Sequence, residues 1–190
     1  MRVITGSLKG RQIPFNNKRF GNARVTSDFV KEAVFGSLGS DLSGLYVLDM
    51  FAGSGQIGVE AVSRGATVWM NDHDRKRTAF IHSLLTDWSL DDRVTLTTLD
   101  WVRLLARADD EARQFDIVYV DPPYDARSGD EVPLSLACLT QLGQSDLLRK
   151  KARVLVQHDR ETDLPRAIAT LLATRSRRYG DSLLTSYQRQ

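Results

Sequence analysis

The chain has one cysteine, Cys138, in 190 residues. A single thiol cannot form an internal disulfide, nor supply a Cys-cluster zinc or iron–sulfur site. Long apolar runs are also missing, since none approaches the roughly 20 residues needed to span a membrane. The opening residues, Met-Arg-Val-Ile-Thr-Gly, lack the apolar core and cleavage site of a secretory signal. With 42% hydrophobic and 26% charged residues, neither a disordered nor a coiled-coil reading fits. A soluble cytoplasmic chain, monomeric and holding no metal, is expected.

The most local absence is of acid. Residues 1–24 contain no Asp or Glu but hold Arg2, Lys9, Arg11, Lys18, Arg19 and Arg24. That segment is +6, so with a net charge of +2 the remainder carries −4. A basic arm on an acidic body is the electrostatic footprint of a protein that binds a phosphate backbone, although a solvated basic tail has the same composition. Val3-Ile4, Gly6, Gly10 and Ile13-Pro14 predict two short strands around a turn within the arm. The expected division is a basic hairpin arm over 1–26 and a main domain over 27–190.

Thr26, Ser27 and Asp28 are candidate caps for a helix whose apolar face is Val30, Ala33, Val34 and Leu38. From residue 45, short apolar runs alternate with longer amphipathic stretches. The runs cover 45–48, 68–70, 94–96, 115–120 and 154–156. Helix-period faces lie between them: Ile81, Leu84, Leu85 and Trp88; Leu104, Leu105, Ala108 and Ala112; and Leu164, Ile168, Leu171 and Leu172. Residues 175–179 and 183–187 flank Gly180-Asp181-Ser182 as a terminal β-hairpin. This alternation predicts βαβ units and a mostly parallel sheet covered on both faces.

Asp49, Asp72, Asp100 and Asp121 each follow a predicted strand. In open α/β sheets ligands bind outside the carboxyl ends of the strands. A lone carboxylate there is ordinarily a helix cap, but four at equivalent places point to a site.

Residues 49–58 read Asp-Met-Phe-Ala-Gly-Ser-Gly-Gln-Ile-Gly, so Gly53, Gly55 and Gly58 match the dinucleotide pattern G-x-G-x-x-G. Asp49 argues against a dinucleotide. A carboxylate aimed into that crevice repels a pyrophosphate and suits a cationic amino-acid group. Asp72, 17 residues beyond Gly55, is placed to accept from both hydroxyls of a ribose. Asp100 could accept from an adenine amino group, and His73 borders the same moiety. Amino acid, ribose and adenine together describe S-adenosylmethionine, with Phe51, Ala52, Gly53, Ser54 and Gly55 forming the loop against it.

Asp121-Pro122-Pro123-Tyr124 follows the fourth strand and is the most specific signal in the chain. Two prolines fix their φ angles and remove two backbone donors. The resulting loop is all acceptors, which suits an –NH2 group. An exocyclic amine on a base is a poor nucleophile because its lone pair is delocalised into the ring. Accepting both N–H groups draws that nitrogen toward a pyramidal form. Tyr124 would stack on the base plane, leaving catalysis to positioning and stabilisation of developing positive charge.

Residues 49–58 and 121–124 resemble motifs I and IV of the Rossmann-like, S-adenosylmethionine-dependent amino-methyltransferases. Arg2-Val-Ile-Thr-Gly, Lys9-Gly-Arg11, Arg24-Val-Thr-Ser-Asp28, Lys31-Glu-Ala-Val-Phe35, Gly58-Val-Glu-Ala-Val-Ser-Arg-Gly65 and Tyr179-Gly-Asp-Ser182 narrow the resemblance to the bacterial 16S rRNA guanine-N2 methyltransferase family, RsmD. It covers nearly the whole chain and is diluted across about 125–150 and 159–174. Val25 stands where that family has proline, Gln56 where it has a small residue, and Asn71 and His73 flank the ribose aspartate. The resemblance implies a doubly wound, seven-stranded sheet that ends in the hairpin. It also implies methylation of a guanine N2 in 16S rRNA, within the assembled or assembling small subunit. Arg2, Lys9, Arg11 and Arg24 would hold that RNA.

Other readings share some of these features. A DNA adenine-N6 or cytosine-N4 methyltransferase shares the tetrad but normally carries an added target-recognition region. A protein-glutamine methyltransferase would more typically have Asn at position 121. Cytosine-C5 chemistry needs a cysteine beside proline, whereas Cys138 lies between Ala137 and Leu139 and reads as a packed residue. A non-enzymatic RNA-binding assembly factor would not need the tetrad. Trp69 reads as core, His82 as a helix-surface residue and His158 as structural.

Overall fold

The computed structural model describes residues 1–20, 26–129 and 131–190, in two units, Met1–Leu104 and Leu105–Gln190. In the first unit, helix α1 (Asp28–Leu38) starts where the Ser27 hydroxyl accepts the Val30 amide at 3.3 Å. Strand β1 (Tyr46–Asp49), helix α2 (Gln56–Ser63), strand β2 (Thr67–Asn71), helix α3 (Arg75–Asp87) and strand β3 (Val94–Thr97) follow. Central β2 pairs in parallel with both neighbours, Trp69 lying opposite Leu48 of β1 and Thr95 of β3. Val47, Leu48, Val68 and Met70 are buried along these strands, and Trp69 joins them as expected. Gly58 lets α2 press onto β2, because a Cβ at that position would overlap the Met70 methyl. The third glycine of the G-x-G-x-x-G match is therefore a packing residue.

The two strands expected in the arm reduce to one antiparallel bridge, Arg2 to Gln12. The physical reason is a competing partner. Between Val3 and the turn, the N–H groups of Ile4, Thr5, Ser7 and Leu8 go to α2, while those of Lys9 and Arg11 close the turn on the Gly6 and Leu8 carbonyls. Ile4 and Thr5 donate their N–H groups to the Glu60 carboxylate at 2.7 and 3.0 Å. Ser7 N–H donates to the Ser63 carbonyl and Leu8 N–H to the Ser63 hydroxyl, at 2.8 and 3.0 Å. Val3, Leu8 and Ile13 are buried, so the segment is a fitted element and not a loose tail.

Helix α4 (Trp101–Asp110) contains the division between the units. The second unit holds β4 (Phe115–Val120), the two-residue strands β5 (Arg127–Ser128) and β6 (Val132–Pro133), α5 (Leu134–Gln144), β7 (Leu148–Asp159), β8 (Ala167–Ile168), β9 (Leu171–Tyr179) and β10 (Ser182–Arg189). Strand β4 runs parallel to β7, while β10 lies antiparallel between β7 and β9. Strands β9 and β10 are the expected terminal hairpin.

The helix expected across 164–172 is absent. Ile168 pairs with Leu171 instead, making β8 and β9 a tight antiparallel turn. Ala169 at its tip has φ 46°, and the Thr170 hydroxyl donates to the Gly143 carbonyl at 2.8 Å. Leucines spaced three and four apart fit a helix face, but here only Leu171 is fully buried, against the sheet. Strand β8 is a strand beside β9 that the sequence did not predict. Helix α5 buries Cys138, Leu139 and Leu142 in the stretch where the family resemblance was dilute. The fold is α/β and Rossmann-like, parallel through its early strands and antiparallel at its C-terminus.

Candidate active site

The glycine loop of the first unit is built around two carboxylates. Asp49 ends β1, is buried, and accepts the Gly58 N–H of α2 at 3.1 Å. Asp72 follows β2 and accepts the Gly53 N–H on Oδ2 at 2.8 Å and the Asp74 N–H on Oδ1 at 2.9 Å. The aspartate expected at the ribose thus also fixes the loop. Gly53 and Gly55 adopt φ of 54° and 76°, a left-handed conformation that L side chains resist. The loop closes through Gly55 N–H to the Ala52 carbonyl at 2.7 Å. Phe51 is half-buried, and the buried Ser54 hydroxyl faces the Met1 sulfur at 3.5 Å. His73 is largely exposed, 3.6 Å from Asp72.

Asp100 lies three residues beyond β3 and caps α4, its Oδ1 accepting the Arg103 N–H at 3.0 Å. Its side chain is 51% exposed.

Asn71 is a site residue that sequence reasoning treated only as a departure. Its buried amide donates to the Met50 and Leu99 carbonyls at 3.2 and 2.9 Å, and its oxygen accepts the Leu99 N–H at 3.0 Å. One side chain thereby clamps the start of the glycine loop to the segment leading to Asp100.

The donor set fits S-adenosylmethionine. Each Asp72 oxygen takes one backbone N–H, and a carboxylate has about four acceptor positions. Spare acceptors therefore remain for a ribose. At Gly53 a Cβ would meet nothing nearer than the Phe51 carbonyl at 3.9 Å, so the loop backbone stays approachable. Among the described residues, no cluster of His, Cys, Asp or Glu could hold a metal, and no helix is long and apolar enough to cross a membrane.

In the second unit, Asp121-Pro122-Pro123-Tyr124 follows β4 directly. Asp121 and Tyr124 are part-exposed, Pro122 is buried and Pro123 is exposed. The Pro123 carbonyl accepts the Ala126 N–H at 3.1 Å, and the Tyr124 carbonyl accepts Arg127 Nη1 at 2.8 Å. Those two carbonyls stabilise the turn that carries the tetrad. Behind the loop, Tyr119 donates its hydroxyl to Gln157 Oε1 at 2.7 Å, and Gln157 Nε2 donates to the Tyr124 hydroxyl at 3.1 Å. Neither Tyr119 nor Gln157 was singled out from sequence. His158 bonds the Thr185 hydroxyl and the Asp159 carbonyl, both at 2.9 Å, and burial holds its imidazole below its usual pKa. Cys138 is buried and its thiol pushed upward by desolvation, so no nucleophile is presented.

The Arg2, Lys9 and Arg11 side chains are exposed, and the Arg11 guanidinium sits 4.9 Å from the centre of the Trp88 ring. Arg24 and Val25 lie outside the described residues.

The family described as conserved hypothetical protein 95 matches residues 1–188. A Bacillus subtilis protein, YlbH, named provisionally as an rRNA methyltransferase, is 32% identical over the whole of both chains. Ribosomal RNA small subunit methyltransferase D of Escherichia coli K12 is 29% identical over all of this chain and 90% of its own. The solved structure of Escherichia coli yhhF, named provisionally as a methyltransferase, superimposes with a TM-score of 0.80. It is 27% identical and covers all of this chain and 98% of its own.

Proposed function

The chain belongs to the conserved hypothetical protein 95 family, of the small-subunit rRNA methyltransferase D type, and from that premise we propose that it methylates the exocyclic N2 amine of a guanine in 16S ribosomal RNA. The observation that carries the reading is the Asp121-Pro122-Pro123-Tyr124 loop at the end of β4, with a carboxylate and an aromatic ring at its two ends. S-adenosylmethionine, when bound, supplies an electrophilic methyl group. Asp49, Asp72 and residues 51–55 would hold it, and Asp100 and His73 would border its adenine.

Asp121 accepts an N–H of the target amine, and the Pro122 position offers no competing N–H. That bond aims the nitrogen lone pair and holds the positive charge that develops there, which is discharged when the methylated amine gives one N–H proton to Asp121 or water. Tyr124 stacks on the base, as aromatics do for extruded nucleotides. No side chain need be covalently modified. The substrate is the assembling or assembled small subunit, with Arg2, Lys9, Arg11 and Arg24 on RNA phosphates.

The test is transfer of labelled methyl to small subunits from cells lacking guanine-N2 modification, with nucleoside analysis of the product. Label in N2-methylguanosine, lost with Asp121→Ala, is the expected result. Label on adenine or cytosine would reassign the substrate, and near-normal turnover by Asp121→Ala would remove the mechanism.

A further inference from the structure

Gln157 is 2% exposed, and its amide lies between two phenol hydroxyls, 2.7 Å from Tyr119 and 3.1 Å from Tyr124. Tyr119 is equally buried and stands opposite Leu155 in the β4–β7 pairing, two residues from Gln157 and therefore on the same face of the sheet. The Tyr119 hydroxyl is also 3.5 Å from Asp121 Oδ2. A chain of polar atoms thus runs from Asp121 through Tyr119 and Gln157 to Tyr124, linking the two ends of the tetrad through residues fixed on strands. A primary amide suits the middle of this chain because it carries both a donor and an acceptor, one for each phenol. A carboxylate of the same shape offers acceptors only and brings a charge into a buried place.

We propose that Gln157 is a positioning residue for methyl transfer. It holds the Tyr124 ring at a fixed angle to Asp121, so that a base stacked on the ring presents its amine to the carboxylate. This inference rests on the methyltransferase reading. Groups that touch substrate work best when a second layer on rigid elements locks them, and small misplacements cost rate more than binding.

The experiment is a double-mutant cycle in kcat on small subunits lacking guanine-N2 modification. The variants are Gln157→Leu, Tyr124→Phe and both together. Tyr124→Phe keeps the stacking ring and removes only the hydroxyl. Each single variant is expected to lower kcat about tenfold, the worth of one hydrogen bond, with KM for the subunit changed less than about twofold. The double variant is expected to be no slower than the slower single. Tyr119→Phe retains the packing of β4 on β7 and supplies a milder probe should Gln157→Leu fail to fold, with an expected loss of about threefold in kcat. Unchanged kcat in a folded variant, or strictly additive losses, would overturn the proposal while leaving the methyltransferase reading intact. A wild-type protein that labels no guanine would overturn both.

Discussion

The wholly buried carboxylate of Glu60, on α2, accepts the backbone N–H of Ile4 at 2.7 Å. Its other oxygen accepts the Thr5 N–H at 3.0 Å together with Arg64 Nε and Nη2 at 3.0 and 2.8 Å. The buried Lys31 ammonium, on α1, donates to the Arg2 carbonyl at 2.7 Å. A segment rich in positive charge is therefore held down by its backbone, which leaves the Arg2 and Lys9 side chains outward. Position in the fold, and not charge alone, makes the arm a surface that RNA could use.

Removing that carboxylate should be costly. Glu60→Ala leaves the Arg64 guanidinium, with only 6% of its side chain exposed, without its carboxylate, although it still donates to the Gly39 carbonyl, and opens two arm amides. Breaking a buried pair on one side costs about 3–5 kcal/mol. Urea denaturation should show a loss of that size, and hydrogen exchange at the Ile4 and Thr5 amides should quicken more than at β2. A loss below about 1 kcal/mol would mean that the arm is held by packing of Val3, Leu8 and Ile13 alone.

Gly58→Ala tests whether the third loop glycine serves packing. The added methyl would overlap Met70, which has no exposed surface and little freedom to retreat. Overpacking of this kind costs about 1–3 kcal/mol. Shortening the opposing side chain with Met70→Ala should recover part of the loss, so the pair should be non-additive by more than about 0.5 kcal/mol. Additive losses in chemical denaturation would show that Gly58 matters for another reason.

The parts of the site that were legible in sequence are local. Asp49, Gly53, Gly55 and Asp72 announce themselves because a strand, a turn and a helix start are written in consecutive residues. Asn71 and Gln157 were not legible, since their partners lie 28 and 38 residues away and only strand pairing joins them. The buried role of Lys31 was not legible either, because nothing local reveals that its ammonium reaches the Arg2 carbonyl. The missing helix at 164–172 failed for the opposite reason. Its apolar spacing fits a helix, but the Gly143 carbonyl, from a distant helix, captures Thr170 and favours the turn. Asp100 fits an adenine acceptor and a helix cap equally well in sequence, and the structure has it capping α4.

His158 makes stability depend on pH. Burial disfavours its charged form, outweighing the Asp159 carbonyl and the Asp159 and Asp163 charges that favour it. The unfolded chain, with an imidazole near its ordinary value of 6.5, therefore binds a proton before the folded chain does. Stability is full above that value and declines as pH falls below it, levelling once the folded imidazole also protonates. Replacing His158 with Gln should flatten the decline below pH 6.5, measured as the difference between the two proteins' denaturation midpoints. Parallel curves for both would mean that carboxylates, not this imidazole, set the acid limit.

If the arm holds RNA as proposed, its charges separate into Lys9, offered to phosphate alone, and Arg11, which also contributes to the fold. Lys9 is exposed, whereas Arg11 lies 4.9 Å above Trp88. A cation over an indole at an exposed site is worth about 0.5–1 kcal/mol. Arg11→Gln should therefore lower both stability and RNA affinity, while Lys9→Gln should lower affinity and leave the denaturation midpoint unchanged. Each phosphate that a variant no longer neutralises should reduce the slope of log affinity against log salt by about 0.7–0.9, with S-adenosylmethionine binding unaffected. If Lys9→Gln leaves both affinity and slope at the wild-type value, that residue does not touch a phosphate. If Arg2→Gln and Arg11→Gln do the same, the uncompensated charge of the first 24 residues serves solubility, and the RNA must be held elsewhere on the chain.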